Sequence, residues 1–126
     1  MSHEMTTIGN SGWIAFNGPN PDEAKKFYAD VIGWNIVDTP MGEGHYSTIM
    51  LKGGPIGGFT PMPSDDVHWL VYITVADVDA ATDRAKKAKA KILQAATDFP
   101  GVGRIAIIQD PQGAKIALIT YESMMG

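Results

Sequence analysis

Apolar and polar positions along the chain follow two rhythms, a period near two in short runs and a period near 3.6 in two longer ones. Residues 13–17, WIAFN, read as a strand. Asn20-Pro21-Asp22-Glu23 follows: a cap, a proline at the first helical position and a glutamate at the capping-box position. Ala24, Phe27, Tyr28, Val31 and Ile32 then recur at helical spacing, which predicts a helix over about 21–32 with these five on its buried face. Gly33 suits a left-handed stop. WNIV, YSTIML and PIGGFT read as three short strands separated by DTPMGEG and KGG, and PMPSDD (61–66) reads as a linker.

The second half repeats this order. HWLVYITV (68–75) is a strand, Asp77 caps a helix over about 77–89 with Val78, Ala81, Ala85 and Ala88 inward, and KILQA, RIAIIQ and AKIALITY are three more strands, with DFPGVG and DPQG as turns. Trp69 stands 56 residues after Trp13, and at that offset Phe16 meets Tyr72, Ala24 meets Ala80 and Ala29 meets Ala85. The pattern predicts a single α+β domain of two βαβββ repeats, about 11–61 and 67–121, forming a cupped mixed eight-stranded sheet. Each helix covers one face of its four strands, and the other face needs a second unit or a partner chain. In β-strand alternation Ile14, Phe16, Trp69, Val71, Ile73, Val75, Ile116 and Leu118 go under the helices. Trp13, Ala15, Asn17, His68, Leu70, Tyr72, Thr74, Lys115, Ala117 and Ile119 go to the opposite face, the expected cavity lining.

Composition narrows the function classes. Net charge is −4, which gives nucleic acid no electrostatic footprint. Lys86, Lys87, Lys89 and Lys91 read as a solvated helix face. The absence of cysteine excludes disulfides, thiolate metal sites and a cysteine nucleophile. No apolar run reaches the roughly 20 residues of a membrane span, and the N-terminus lacks the order of a signal peptide, so the expected setting is the cytoplasm.

AKKFYADVIGW in the first repeat, with YITVADVDAA and DPQGAKIAL in the second, resembles the vicinal oxygen chelate superfamily, which includes glyoxalase I, extradiol dioxygenases, fosfomycin-resistance enzymes and bleomycin-binding proteins. The resemblance covers about residues 11–121. In the metalloenzyme members a divalent ion is held by His and Glu on the first and last strands of the two units. The matching positions here are Trp13 and Leu70 on first strands, and Ala117 after DPQG, with Gly58 as its counterpart in the first repeat. None offers the oxygen or imidazole that Mg, Mn, Ni, Fe or Zn requires. The expectation is therefore no metal and no cofactor.

Other residues carry two readings each. Trp13 and Tyr72 stack on a planar ligand or fill the space as core. His68 is a strand-edge residue or a hydrogen-bonding or general-base group. Arg104 anchors a loop or meets an anion, while Asp110 suits a turn and Trp34 the core. His3 sits in the N-terminal tail and His45 in a solvated loop. GGPIGG (53–58) has no lysine for a phosphate loop and reads as a turn and a strand with close backbone approach, Gly58 leaving cavity volume free. The candidate ligand-binding set is Trp13, Asn17, Gly58, His68, Leu70, Tyr72 and Ala117. Two function classes fit. One is a metal-free protein binding a planar or aromatic small molecule between the repeats, as a homodimer and without nucleic-acid or membrane partners. The alternative is a superfamily enzyme of lyase, isomerase or dioxygenase type, with a relocated metal or acid–base chemistry through His68 and Tyr72.

Overall fold

The structure, a computed structural model, describes residues 5–41 and 44–124. Strand β1 spans Ser11–Asn17, helix α1 Pro21–Ile32, β2 Asn35–Met41, β3 Gly44–Leu51 and β4 Gly54–Phe59. The second repeat has β5 at His68–Thr74, α2 at Val78–Lys87, β6 at Lys91–Phe99, β7 at Gly103–Gln109 and β8 at Lys115–Tyr121. These are the two βαβββ repeats the sequence predicts, with eight strands in mixed pairing and two helices. Strand β2 runs to Met41 and β6 to Phe99, so most of DTPMGEG and the start of DFPGVG are strand rather than connection.

The chain divides into two compact units. Among the described residues, Trp13–Leu70 forms one, and the second combines residues 5–12 with residues 71–124. In the first, the strands lie in the order β2-β3-β4-β1, and in the second β6-β7-β8-β5. Both pair their first and last strands in parallel and the rest antiparallel. Gly58 lies opposite Ala15, two residues past Trp13, and Ala117 opposite Tyr72, two past Leu70. Gly58 and Ala117 are therefore equivalent ladder positions, and a constant offset of 56 does not extend to the last strands.

Helix α1 starts where its caps place it. Asn20 Oδ1 accepts from the Glu23 N–H at 3.1 Å, and Gly33, at φ 83°, ends the helix by donating to the Ala29 carbonyl. Its buried face is narrower than its apolar pattern. Ala24 and Tyr28 pack inward, but Phe27, Val31 and Ile32 are 56%, 64% and 52% exposed. The physical reason is the bulk beneath: Tyr28 rests on an aromatic cluster of Phe16, Trp34, Phe59 and Trp69, with ring centroids 5.2–6.4 Å apart. Trp69 belongs to this cluster, not under α2 as its strand position implies, and its indole N–H donates to the Tyr28 hydroxyl at 3.2 Å. Trp34 is part of the core, as expected.

Helix α2 is capped by Asp77, whose carboxylate accepts from the Ala80 N–H. Val78, Ala81 and Thr82 are its buried residues, small enough for close packing; Ala85 is half-buried and Ala88, the C-cap, is exposed. Thr82 tolerates burial because its hydroxyl donates to the Val78 carbonyl at 2.7 Å. Arg104, on β7, ties helix α2 to strand β6 rather than anchoring a loop. It pairs with both oxygens of Asp79 at 2.9 and 3.1 Å and with Asp98 at 3.0 Å. Asp110 is the turn residue expected, accepting from the N–H groups of Gln112 and Ala114. The four lysines on and after α2 are exposed.

Candidate functional site

In the first unit, β1 presents Trp13 and Asn17 on the face away from α1, and the parallel ladder sets Gly58 beside Ala15 on that face. Strand β3 pairs Thr48 with Gly58, so Tyr46, two residues earlier, shares the face as well. Its ring fills the place of the missing side chain: a Cβ on Gly58 would stand 2.3 Å from Tyr46 Cε2. Gly58 therefore leaves no volume free, contrary to the expectation, because a tyrosine from the neighbouring strand occupies it. The Tyr46 ring stacks on Trp13 at a centroid distance of 6.3 Å and an interplanar angle of 28°, and the Trp13 indole N–H donates to the Tyr46 hydroxyl at 3.2 Å. Both rings are half-buried and so keep part of their faces accessible. Asn17 turns its amide to the Ala15 carbonyl at 3.2 Å.

Leu70 and Ala117 are enclosed, at 3% and 0% exposure, and Tyr72 is half-buried opposite Ala117. Burial pushes the Tyr72 phenol above its ordinary value, so it remains a proton donor at neutral pH. His68 is half-buried at the start of β5, with Nδ1 2.9 Å from the Asp66 carbonyl and 3.7 Å from its carboxylate, which ties the ring to the linker. The structure thus brings Trp13, Asn17 and Gly58 together in the first unit and Tyr72 with Ala117 in the second, with His68 occupied at the strand edge.

Residues absent from the sequence reading make up a further cluster in the first unit. Lys25 Nζ donates to Ser47 Oγ at 3.0 Å and pairs with Asp22 at 2.8 Å, and Ser47 Oγ donates to Asp38 at 2.5 Å. The Ser47 hydrogen bond, then the Lys25 charge, holds the Asp38 carboxyl below its usual range. These residues and His45, which is an exposed residue of β3 rather than of a loop, line a cavity of about 340 Å³. Only the Asp22–Lys25 spacing was visible in sequence; Tyr46 could have been found from its parity with Thr48 once the β3–β4 register was known. His3 lies outside the described residues.

The model of the Glyoxalase/Bleomycin resistance protein/Dioxygenase superfamily matches residues 10–118. The chain belongs to that superfamily. A Mycobacterium bovis protein named as a glyoxylase, CFP32, is 33% identical over 117 residues, covering 87% of this chain and 45% of that protein. The anthracycline biosynthesis protein DnrV of Streptomyces peucetius is 30% identical, covering 87% of this chain and 46% of its own. The chain thus spans about half the length of these curated relatives. Among solved structures, a methylmalonyl-CoA epimerase variant from Streptomyces coelicolor, in complex with 2-nitronate-propionyl-CoA, superposes with a TM-score of 0.62 at 15% identity, covering 92% of this chain and 99% of the other. That likeness is one of fold.

The superfamily's metal can be tested against the donor set. Indole carbon and N–H at Trp13, no side chain at Gly58, and alkyl groups at Leu70 and Ala117 supply no lone pair for a divalent ion. The residues at these positions do not fit the metal. Among the described residues, no group of three or more His, Asp or Glu is placed to hold one elsewhere. Nor, among them, is any helix long and apolar enough to cross a membrane.

Proposed function

We propose that this superfamily member binds a planar, largely apolar small molecule without a metal, on the first unit's Trp13–Tyr46 shelf. The observation that carries this reading is the Tyr46 ring laid over Gly58 and stacked on Trp13, an aromatic surface at two of the positions where metalloenzyme relatives carry ligands. Half-buried aromatic faces favour stacking partners, and Asn17 on the same strand supplies a polar group at the edge. The anthracycline named in the Streptomyces relative is a fused-ring aromatic, which agrees with that ligand chemistry.

The test is a titration with 2-naphthol, read by tryptophan fluorescence, on wild type and on Tyr46→Ala. Saturable quenching that Tyr46→Ala abolishes supports the shelf; equal quenching in both discards it. Metal analysis of the purified protein, with melting curves in Ni, Mn, Zn, Fe and EDTA, addresses the metal. Bound metal together with a lower Tm in EDTA would favour the enzyme reading, because a resident ion stabilises by mass action. We infer that the chain also forms a homodimer, for which the exposed Phe27, Val31 and Ile32 on α1 supply an apolar surface. Sedimentation that gives a monomer at all concentrations would discard the dimer and leave the shelf standing.

A further inference from the structure

Tyr121, at the end of β8 in the second unit, has no part in the reading above. It is 8% exposed, and its hydroxyl is buried with no hydrogen-bond partner among the described residues. Native proteins rarely leave such a group unmatched, because its desolvation is uncompensated. The neighbouring Thr74 hydroxyl is near enough to offset part of the effect of burial on the phenol, but the two do not meet in hydrogen-bonding geometry. The Thr74 hydroxyl donates to the Met5 carbonyl, and the Thr74 backbone N–H and carbonyl bond to Asn10 and Gly9. Those three bonds hold the N-terminal segment, residues 5–10, across this part of the unit as a strap.

Tyr121 is among the residues that line a cavity of about 460 Å³, together with Met5, Gly101, Val102 and Glu122. That volume lies within the roughly 300–1,000 Å³ of small-molecule sites. Met5 connects hydroxyl and cavity. It lines the cavity, and its backbone flanks the same empty position at Gly12 as the hydroxyl does, where a Cβ would stand 3.0 Å from Met5 Cα and 3.2 Å from the Tyr121 oxygen. A ligand in the cavity reaches the hydroxyl only if Met5 moves aside, so the site requires that displacement. The chemistry defines the occupant. Burial, the largest influence, raises the phenol to about 12, so it donates and does not accept as an anion. The Glu122 carboxylate, receiving the Gly101 N–H at 3.0 Å, sets a negative charge at the wall, which disfavours an anionic ligand. Met5 and Val102 offer apolar surface.

We propose that this cavity is a second binding site, for a neutral molecule with an apolar body and a carbonyl oxygen that accepts the Tyr121 proton. It shares no residue with the Trp13–Tyr46 shelf, so either can fail without the other.

Acetophenone is the probe, and ethylbenzene, of similar shape without the acceptor, is the control. Binding is followed by amide shifts of Gly101, Val102 and Glu122 in ¹H–¹⁵N spectra. The expected result is saturable shifts with acetophenone, about tenfold weaker affinity in Tyr121→Phe from the lost hydrogen bond, and no change between the two proteins for ethylbenzene. Tyr121→Phe should melt no lower than wild type, since the hydroxyl it removes is unmatched. Val102→Trp, which fills the cavity without touching the phenol, should abolish the shifts even if Tyr121→Phe fails to fold. Absence of shifts at these amides, equal acetophenone affinity in Tyr121→Phe, or undiminished binding in Val102→Trp would each overturn the site. A lower Tm in Tyr121→Phe would overturn the unmatched phenol on which it stands.

Discussion

The two units have one strand order and two ways of filling it. The first unit gathers five large aromatic rings beneath and along α1, of which Phe16 and Phe59 are buried and Tyr28, Trp34 and Trp69 half-buried, and the helix itself has no fully buried residue. In the second unit α2 buries its own Val78, Ala81 and Thr82, and the strands it lies against, β7 and β8, bury Ala106 and Leu118. The faces away from the helices differ in the same manner. The first carries an indole and a phenol over a glycine, while the second carries Ala117 at the equivalent place and hydroxyls at Tyr72, Thr74 and Tyr121. Backbone pairing is shared because strand alternation and parallel closure fix it. Chemistry is not shared, because each face is free to take whatever side chains fit its volume, so one repeat can change its recognition surface while the other keeps its own.

The largest effect should come from the aromatic cluster. Trp69→Ala removes a ring within 5.2–5.8 Å of Phe16, Tyr28, Trp34 and Phe59 and should cost about 3–5 kcal/mol in urea unfolding. A loss below about 0.5 kcal/mol, the scale of a surface substitution, would break the contrast between a ring-filled and an alkyl-filled core. Next is the exchange at the equivalent ladder positions. Gly58→Ala, giving the first unit the residue that the second has at Ala117, pushes on the Tyr46 ring and should cost about 1–3 kcal/mol while shifting tryptophan emission and weakening 2-naphthol. Unchanged emission and binding would show that Tyr46 is not held by the glycine.

A smaller effect sharpens the second unit. The phenols of Tyr121 and Tyr72 are raised in the fold, so both favour the folded state while neutral. Their contribution is complete below about pH 10, the ordinary tyrosine value, and is lost as pH rises through the raised folded values, near 12 for Tyr121. The melting temperature should therefore fall between pH 10 and 12, and Tyr121→Phe should flatten part of that fall. The smallest change is expected at the exposed ion pairs of the second unit. Arg104→Ala should lower Tm by ~1–3 °C, less at high salt. Asp79, held below its usual value by Arg104, should lose its share only as pH drops below the carboxylate range.

Local signals carried the fold. Asn20, Pro21, Gly33 and Asp77 marked helix ends because a cap is read from a few adjacent residues, and the repeat placed all eight strands. What sequence could not resolve were choices made across distance. Helical period gave α1 an apolar stripe, but not that rings beneath it would leave Phe27, Val31 and Ile32 outside. Parity put Trp69 on a helix-facing side, but not against α1. Gly58 announced a close approach without naming Tyr46 as the group approaching. The position of residues 5–10 over Tyr121 depends on backbone bonds to Thr74, which leave no trace in the polar, turn-rich stretch itself.

Strand β5 has a consequence for inheritance. Its first residues, with Trp69, are built into the first unit, and residues 5–12 are built into the second. Each half of the polypeptide has therefore lent a piece to the other's architecture. Severing the chain in PMPSDD, where composition marks the natural seam, would strip one fragment of its central ring and the other of its strap. The duplicated halves are no longer interchangeable cassettes: any shuffling, permutation or splitting of this gene that respects its repeat boundary would still cut through two cores.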